Sequence, residues 1–263
     1  MIGIAVFSGE LPPTVRSSTI YTSKNVIGMD MDVPIDHMEY DRIISGTFLE
    51  RPNRFIAYCE VDGIREKVHV KNTGRCRELL VPGTKVYLSV SDNPERSTRC
   101  DLVAVMKGDR LINMDSQIPN DVAAESLRRI PMFSEVTEIR REFRYGNSRI
   151  DIMASDPENR YLIEVKGVTL ERDDVALFPD APTERGAKHL RELISAREDG
   201  YIPCVLFVIQ MDGITHFEPN WDTDPVFSAT LREAKESGVT VLAYTCDVTP
   251  ETIVLAEPVE VKV

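Results

Sequence analysis

Arg149-Ile150-Asp151-Ile152 and Tyr161-Leu162-Ile163-Glu164-Val165-Lys166-Gly167 are followed closely by Pro182-Thr183-Glu184-Arg185-Gly186-Ala187-Lys188-His189-Leu190. The first two stretches alternate apolar with charged residues, the pattern of short strands. Side chains alternate across a strand, so Glu164 and Lys166 share one face and Ile163 and Val165 the other. If the two strands form a hairpin-like pair, Asp151 joins the charged face. Two carboxylates and a lysine at a strand end suit a hard cation and a phosphate. Oxygen ligands fit Mg2+ or Mn2+, which keep several waters, one of them a candidate nucleophile. The lysine would orient that water or neutralise charge developing on the phosphate.

Acid-x-Lys is a cheap pattern, and the chain repeats it at Glu233-Ala234-Lys235, in an expected helix, and at Glu260-Val261-Lys262, in the tail. The motif at 164–166 gains weight from Asp151 on another strand and from the charged helix that follows. Around it, strands are expected at 137–144, 149–154, 160–166, 203–210 and 239–245, with helices at 184–198 and 224–237. Alternating strands and helices predict a mixed or mainly parallel sheet covered by helices. In the helix from 184, Ala187, Leu190 and Ile194 form the apolar stripe. Glu184, Lys188 and Arg191 fall on another face, where an ordinary i,i+4 Glu-Lys pair is the simpler reading. Asp180 or Thr183 can cap its start. Arg140, Arg141, Arg144 and Arg149 flank Asp151 as the best phosphate-facing patch of this half.

Upstream, Asn120 or Asp121 can cap a short helix with apolar Val122, Ala123, Leu127 and Ile130, which Pro131 ends. A domain boundary is placed near here, between 40–115 and 116–263. Residues 40–115 read as a small all-β unit. Phe55–Val61 and Ile64–Val70 flank Asp62-Gly63, a strong hairpin signal. Further strands are expected at 85–90, 102–107 and 110–113. About five short strands favour an OB-like β-barrel, in which Lys67, Lys71, Arg75, Arg77, Arg96 and Arg99 could line a basic groove for nucleic acid. The simpler alternative is that these charges are solvated. Residues 1–39 lack periodicity and read as a poorly ordered N-terminal extension.

Composition narrows the function classes. The 263-residue chain carries a net charge of −12, which is a poor starting point for non-specific nucleic-acid binding. The charge is uneven, however: residues 40–120 hold 13 Lys/Arg against 11 Asp/Glu, whereas 121–263 hold 16 against 27. No apolar run approaches a membrane span, the longest being Cys204–Ile209. Five scattered cysteines without a C-x-x-C pair predict free thiols and a cytoplasmic location, and four scattered histidines predict no His-rich metal site. A homo-oligomer is compatible with the sequence. No P-loop or dinucleotide fingerprint is present, which places a sugar-phosphate enzyme last.

The stretches N-T-G at 72–74, S-D-N-P-E-R-S-T at 91–98, Q-I-P-N at 117–120, S-R-I-D at 148–151, Y-L-I-E-V-K-G-V-T-L at 161–170 and F-P-D-A-P-T-E-R-G-A-K-H-L at 178–190 resemble the sugar fermentation stimulation protein A (SfsA) family. The resemblance runs in order from about residue 42 to 246. It implies an α/β (α+β overall) chain, with an N-terminal OB-like barrel and a restriction-endonuclease-like PD-(D/E)xK domain built on a central mixed sheet. It further implies DNA rather than RNA as partner. The nuclease motif falls on Asp151, Glu164 and Lys166, with the Val165 carbonyl as a further metal ligand and Ile150 in place of the motif's proline. Glu125 sits where such folds place an acid on the first core helix. Glu184 and Lys188 follow the motif, and Lys188 and Arg149 are candidate phosphate contacts. The resemblance leaves two functions open: a Mg2+-dependent nuclease, which is favoured, and a non-catalytic DNA-binding regulator of sugar utilisation, since fold does not imply function.

Overall fold

The structure, a computed structural model, describes residues 38–72, 74–146 and 148–263. Of the extension expected at 1–39, residues 1–37 lie outside this range. Met38–Glu39 form a short strand, β1, whose partners Ile253 and Thr252 belong to the second domain.

The barrel consists of β2 (Ile43–Asn53), β3 (Ile56–Val61), β4 (Ile64–Val70), β5 (Lys85–Val90) and β6 (Cys100–Lys107). The order β4-β3-β2-β5-β6 is closed by parallel pairing of β4 with β6, and β7 (Arg110–Asn113) hangs on β6. The hairpin turn works as its residues require, because Asp62 and Gly63 both have positive φ, 51° and 76°. The eleven-residue β2 is a barrel strand that the sequence pattern does not show, and the strand expected at 110–113 is β7, paired with β6 outside the closed ring. Ser45-Gly46 and Arg51-Pro52 break the alternation of β2, and its register slips between Phe48 and Glu50 and again before Asn53. Gly46 is obligatory there: a Cβ would lie 2.8 Å from the Glu60 carbonyl oxygen. Phe55, assigned to β3, is instead an exposed turn residue.

The second domain opens with α1 (Ile118–Ser126), followed by short 3-10 turns at Leu127–Arg129 and Pro131–Phe133. The helix starts before the expected caps: Gln117 is the flanking residue and Pro119 sits in the first turn. Next come β8 (Glu138–Tyr145), β9 (Ser148–Ser155) and β10 (Arg160–Val168), then β11 (Leu170–Arg172), β12 (Val175–Phe178) and α2 (Glu184–Ala196). The chain finishes with β13 (Ile202–Ile209), β14 (His216–Pro219), α3 (Pro225–Glu236), β15 (Thr240–Val248), β16 (Thr252–Pro258) and β17 (Glu260–Val261). The main sheet is mixed, in the order β1-β16-β15-β13-β10-β9-β8, with β10, β13 and β15 parallel. Alternation along β10 and β13 explains the layering. Ile163, Val165, Leu206 and Val208 pack with Val122 of α1 and Leu127 of the turn after it, while Leu162, Val205 and Phe207 pack with Leu190 of α2 and Phe227 of α3. A small sheet, β11-β12-β14-β17, was not expected. Its strands are too short to show a period, and the β11–β12 turn uses Asp173 and Asp174 at positive φ without a glycine.

Side chains buried at the base of α1 join the two domains. Gln210 donates from Nε2 to Asn113 Oδ1 at 3.1 Å and to the Asp115 carbonyl at 3.0 Å, and Asp115 accepts from Lys71 Nζ at 2.8 Å. Asp115 Oδ1 also accepts the Gln117 amide, fixing the entry to α1.

Candidate active site

The β9–β10 ladder runs only to the pair Ile152 and Ile163. Beyond it the Asp151 carboxylate substitutes for the backbone: Oδ2 accepts the Val165 amide at 2.8 Å, and Oδ1 accepts Asn120 Nδ2 at 3.0 Å. Asn120 reaches the site from the first turn of α1, so the residue expected to cap that helix instead orients Asp151.

Glu164 lies on the α2-covered side of β10 and is 1% exposed. Its Oε1 takes two donors, Lys166 Nζ in an ion pair and His189 Nδ1. Its Oε2 is buried without a hydrogen-bond partner among the described residues. Nε2 of His189 accepts from Arg185 Nε at 3.3 Å. A guanidinium only donates, so the imidazole proton sits on Nδ1 and is shared with Glu164. The turn before α2 sets this geometry. Thr183 Oγ1 caps the helix by accepting the Gly186 amide at 3.0 Å, and the Thr183 amide donates to Asp224, the residue capping α3. A side chain at Gly186 would crowd Thr183 and Phe227.

The two carboxyls are driven in opposite directions. Burial, reinforced by the neighbouring Glu164 charge, raises Asp151. Burial also acts to raise Glu164, but the His189 hydrogen bond and the Lys166 charge outweigh it and hold this carboxyl below its ordinary value. Asp151, Glu164, Val165 and Lys166 share a cleft of about 260 Å3 with Asn120, Arg185 and His189, among others. The two other acid-x-Lys stretches differ sharply. Glu260 is 69% exposed beside Lys262, and Glu233 and Lys235 lie on the exposed side of α3.

Other expected residues are divided among several places. Glu125 is exposed on α1 and does not line the cleft. It stands five residues from Asn120, about 140° around a helix of 3.6 residues per turn. Glu184, Lys188 and Arg149 line a neighbouring depression of about 550 Å3 that shares Arg185 and His189 with the cleft. Lys188 lies 3.6 Å from Glu192, in place of the expected pair with Glu184, and Arg149 is paired with Glu142. Arg140 and Arg141 are likewise paired, with Glu138 and Asp121. Asn120, Arg185 and His189 were missed. Arg185 and His189 are i,i+4 on α2, but His189 borders the apolar stripe and looks like core in a one-dimensional pattern.

The six barrel cations do not form one groove. Arg75 and Arg77 line a depression of about 530 Å3 that also contains Arg51 and Arg54. Arg96 and Arg99 line another, of about 420 Å3, and are engaged by Asp101 and Glu66. Lys71 is committed to buried Asp115, and Lys67 is exposed on β4 and lines neither depression. Arg51 bridges the carbonyls of Arg54, Asn72, Gly74 and Arg75, so it shapes the first depression rather than presenting a free charge.

Comparison with known proteins matches residues 117–252 to the sugar fermentation stimulation protein RE domain and residues 49–114 to the SfsA N-terminal OB domain. The chain belongs to the SfsA family. The sugar fermentation stimulation protein homolog of Clostridium beijerinckii is 50% identical over 224 residues, covering 85% of this chain and 99% of the relative. The homolog of Desulfitobacterium hafniense is 51% identical over 225 residues, covering 86% and 98%. Among solved structures, SfsA of Pyrococcus furiosus in complex with Ca2+ superimposes with a TM-score of 0.78 at 26% identity, covering 86% of this chain and 98% of that one. The closed five-strand barrel and mixed-sheet domain are thus the SfsA fold. No helix among the described residues is long and apolar enough to cross a membrane.

Proposed function

We propose that this SfsA-family chain binds DNA and hydrolyses its phosphodiester bonds with a divalent cation, Mg2+ or Mn2+, held by Asp151, Glu164 and the Val165 carbonyl. The observation that carries this reading is the convergence of Asp151, Glu164 and Lys166 in one cleft, with Glu164 Oε2 buried and unpartnered. Burying an unpaired carboxylate oxygen is costly, and a hard cation is the partner that an all-oxygen donor set fits. The Ca2+ complex of the Pyrococcus furiosus relative supports a divalent ion.

The cation supplies Lewis acidity and charge neutralisation at the phosphate. Asn120 and the Val165 amide hold Asp151 in one orientation, and His189 holds Glu164. Lys166 orients the attacking water and offsets negative charge as it builds on the phosphoryl oxygens. Water forms one P–O bond as the bond to the departing sugar oxygen breaks, and that oxygen takes up the proton that the water gives up. Arg75 and Arg77, exposed on the barrel, dock the strand, whereas Arg149 beside the cleft is already paired with Glu142. Such a substrate belongs in the cytoplasm.

A second reading, a DNA-binding regulator without turnover, is favoured by one observation. Oε1 of Glu164 is already engaged by Lys166 and His189, so the acidic end of β10 is partly neutralised by the protein's own side chains. Incubating the full chain with labelled DNA and RNA, single- and double-stranded, in Mg2+, Mn2+ or EDTA separates the two. Metal-dependent cutting lost in Asp151→Ala and Lys166→Ala is expected. DNA binding without cutting under any condition would leave only the regulator.

A further inference from the structure

We propose that Arg185 is the phosphate anchor of the cleft, receiving the backbone phosphate next to the one held for cleavage. The inference rests on the nucleic-acid reading above and gives it a binding residue outside the Asp-Glu-Lys constellation.

Arg185 lies where two depressions meet, lining both the 260 Å3 cleft of Asp151 and Glu164 and the 550 Å3 depression beside it. Three cations line the outer depression. Arg149 is neutralised by Glu142 and Lys188 lies near Glu192, whereas no acid among the described residues engages Arg185. It is exposed, and its side-chain bond, from Nε to Nε2 of His189 at 3.3 Å, uses one edge of the guanidinium. His189 is buried and held in turn by Glu164. The arginine is therefore braced at Nε while its two terminal nitrogens stay available, the arrangement in which a planar fork binds phosphate bidentately with little further ordering. Glu184, exposed on the same rim, is an acid that a phosphate there must tolerate, and Glu142 and Glu192 are already occupied by Arg149 and Lys188. His189 thus contacts both the proposed phosphate anchor and Glu164.

The test reads binding without turnover. Full-length protein in EDTA is titrated with a fluorescent single-stranded DNA 20-mer, and with a set in which one phosphate at a time is replaced by a neutral methylphosphonate. Arg185→Ala should weaken binding about tenfold or more and flatten the dependence on log[salt] by about 0.7, the share of one neutralised phosphate on a single strand. Arg185→Lys should restore part of the affinity, since a point charge lacks the fork. The methylphosphonate position that costs the parent protein most should cost Arg185→Ala nothing further. This pattern identifies direct contact, because a merely unsettled His189 would leave the profile intact. A parent-like affinity and salt slope in Arg185→Ala, or an unchanged methylphosphonate profile, would overturn the inference while the nuclease reading stands. No binding of single- or double-stranded DNA by the parent protein, either in EDTA or with Ca2+, would overturn both.

Discussion

His189 donates through Nδ1 to Oε1 of Glu164, joining α2 to the charged end of β10 across 25 residues of sequence. Removing the imidazole leaves a buried carboxylate with Lys166 as its one remaining side-chain donor among the described residues. His189→Ala should therefore lower stability by about 1–3 kcal/mol in urea unfolding. His189→Asn, whose side-chain amide can donate from a place near Nδ1, should recover part of that loss. Equal stability of all three proteins would contradict the contact.

The opposite displacement of the two carboxyls predicts opposite pH behaviour. Asp151 is raised from 3.8, so its ionised form costs stability near neutral pH. That cost fades as pH falls through the raised folded value and is gone below 3.8. Asp151→Asn should thus melt above the parent near neutral pH, with the gap closing in acid. Glu164 is lowered from 4.5, so its contribution is fully present above 4.5 and is lost as pH falls through the lowered folded value. Glu164→Gln should melt below the parent near neutral pH and converge with it in acid. Thermal melts of both variants across this range check the signs, and a shift in the same direction for both would contradict them.

The barrel cations separate into structural and docking groups. Lys71 neutralises Asp115, whose side chain is fully buried, so Lys71→Met should cost about 2–3 kcal/mol of stability. Arg75 and Arg77 are exposed, and Arg75→Ala with Arg77→Ala should leave stability within about 0.5 kcal/mol. The same double variant should reduce the salt dependence of DNA binding by about 0.7 for each phosphate that the two arginines neutralise. An unchanged slope would remove this depression from the docking surface.

Much of this molecule could be read from its sequence where local chemistry and period agree. Asp62-Gly63 specified its hairpin, the alternation along Tyr161–Lys166 specified β10, and Thr183 was a recognisable cap for α2. The residues that failed to show themselves do so for physical reasons. β2 is a bent barrel strand whose Gly46 serves close strand approach, and such a strand loses its alternation. Asn120 looked like a cap because an asparagine before an apolar run has that chemistry, yet Pro119 had already started the helix one turn earlier. His189 and Arg185 matter through contacts that only folding creates. Net charge was also misleading at the level of single side chains. Arg96, Arg99, Arg140, Arg141 and Arg149 are all met by acids, a pairing that no count of basic residues reveals.

If Asp151 and Glu164 form a divalent-cation site, Mn2+ binding followed by electron paramagnetic resonance reads it out. The parent protein should take up one Mn2+ per chain, and both Asp151→Ala and Glu164→Gln should weaken that site by about tenfold or more, since each removes a charged oxygen ligand. Mn2+ uptake unchanged in both variants, or none in the parent protein, would contradict the account.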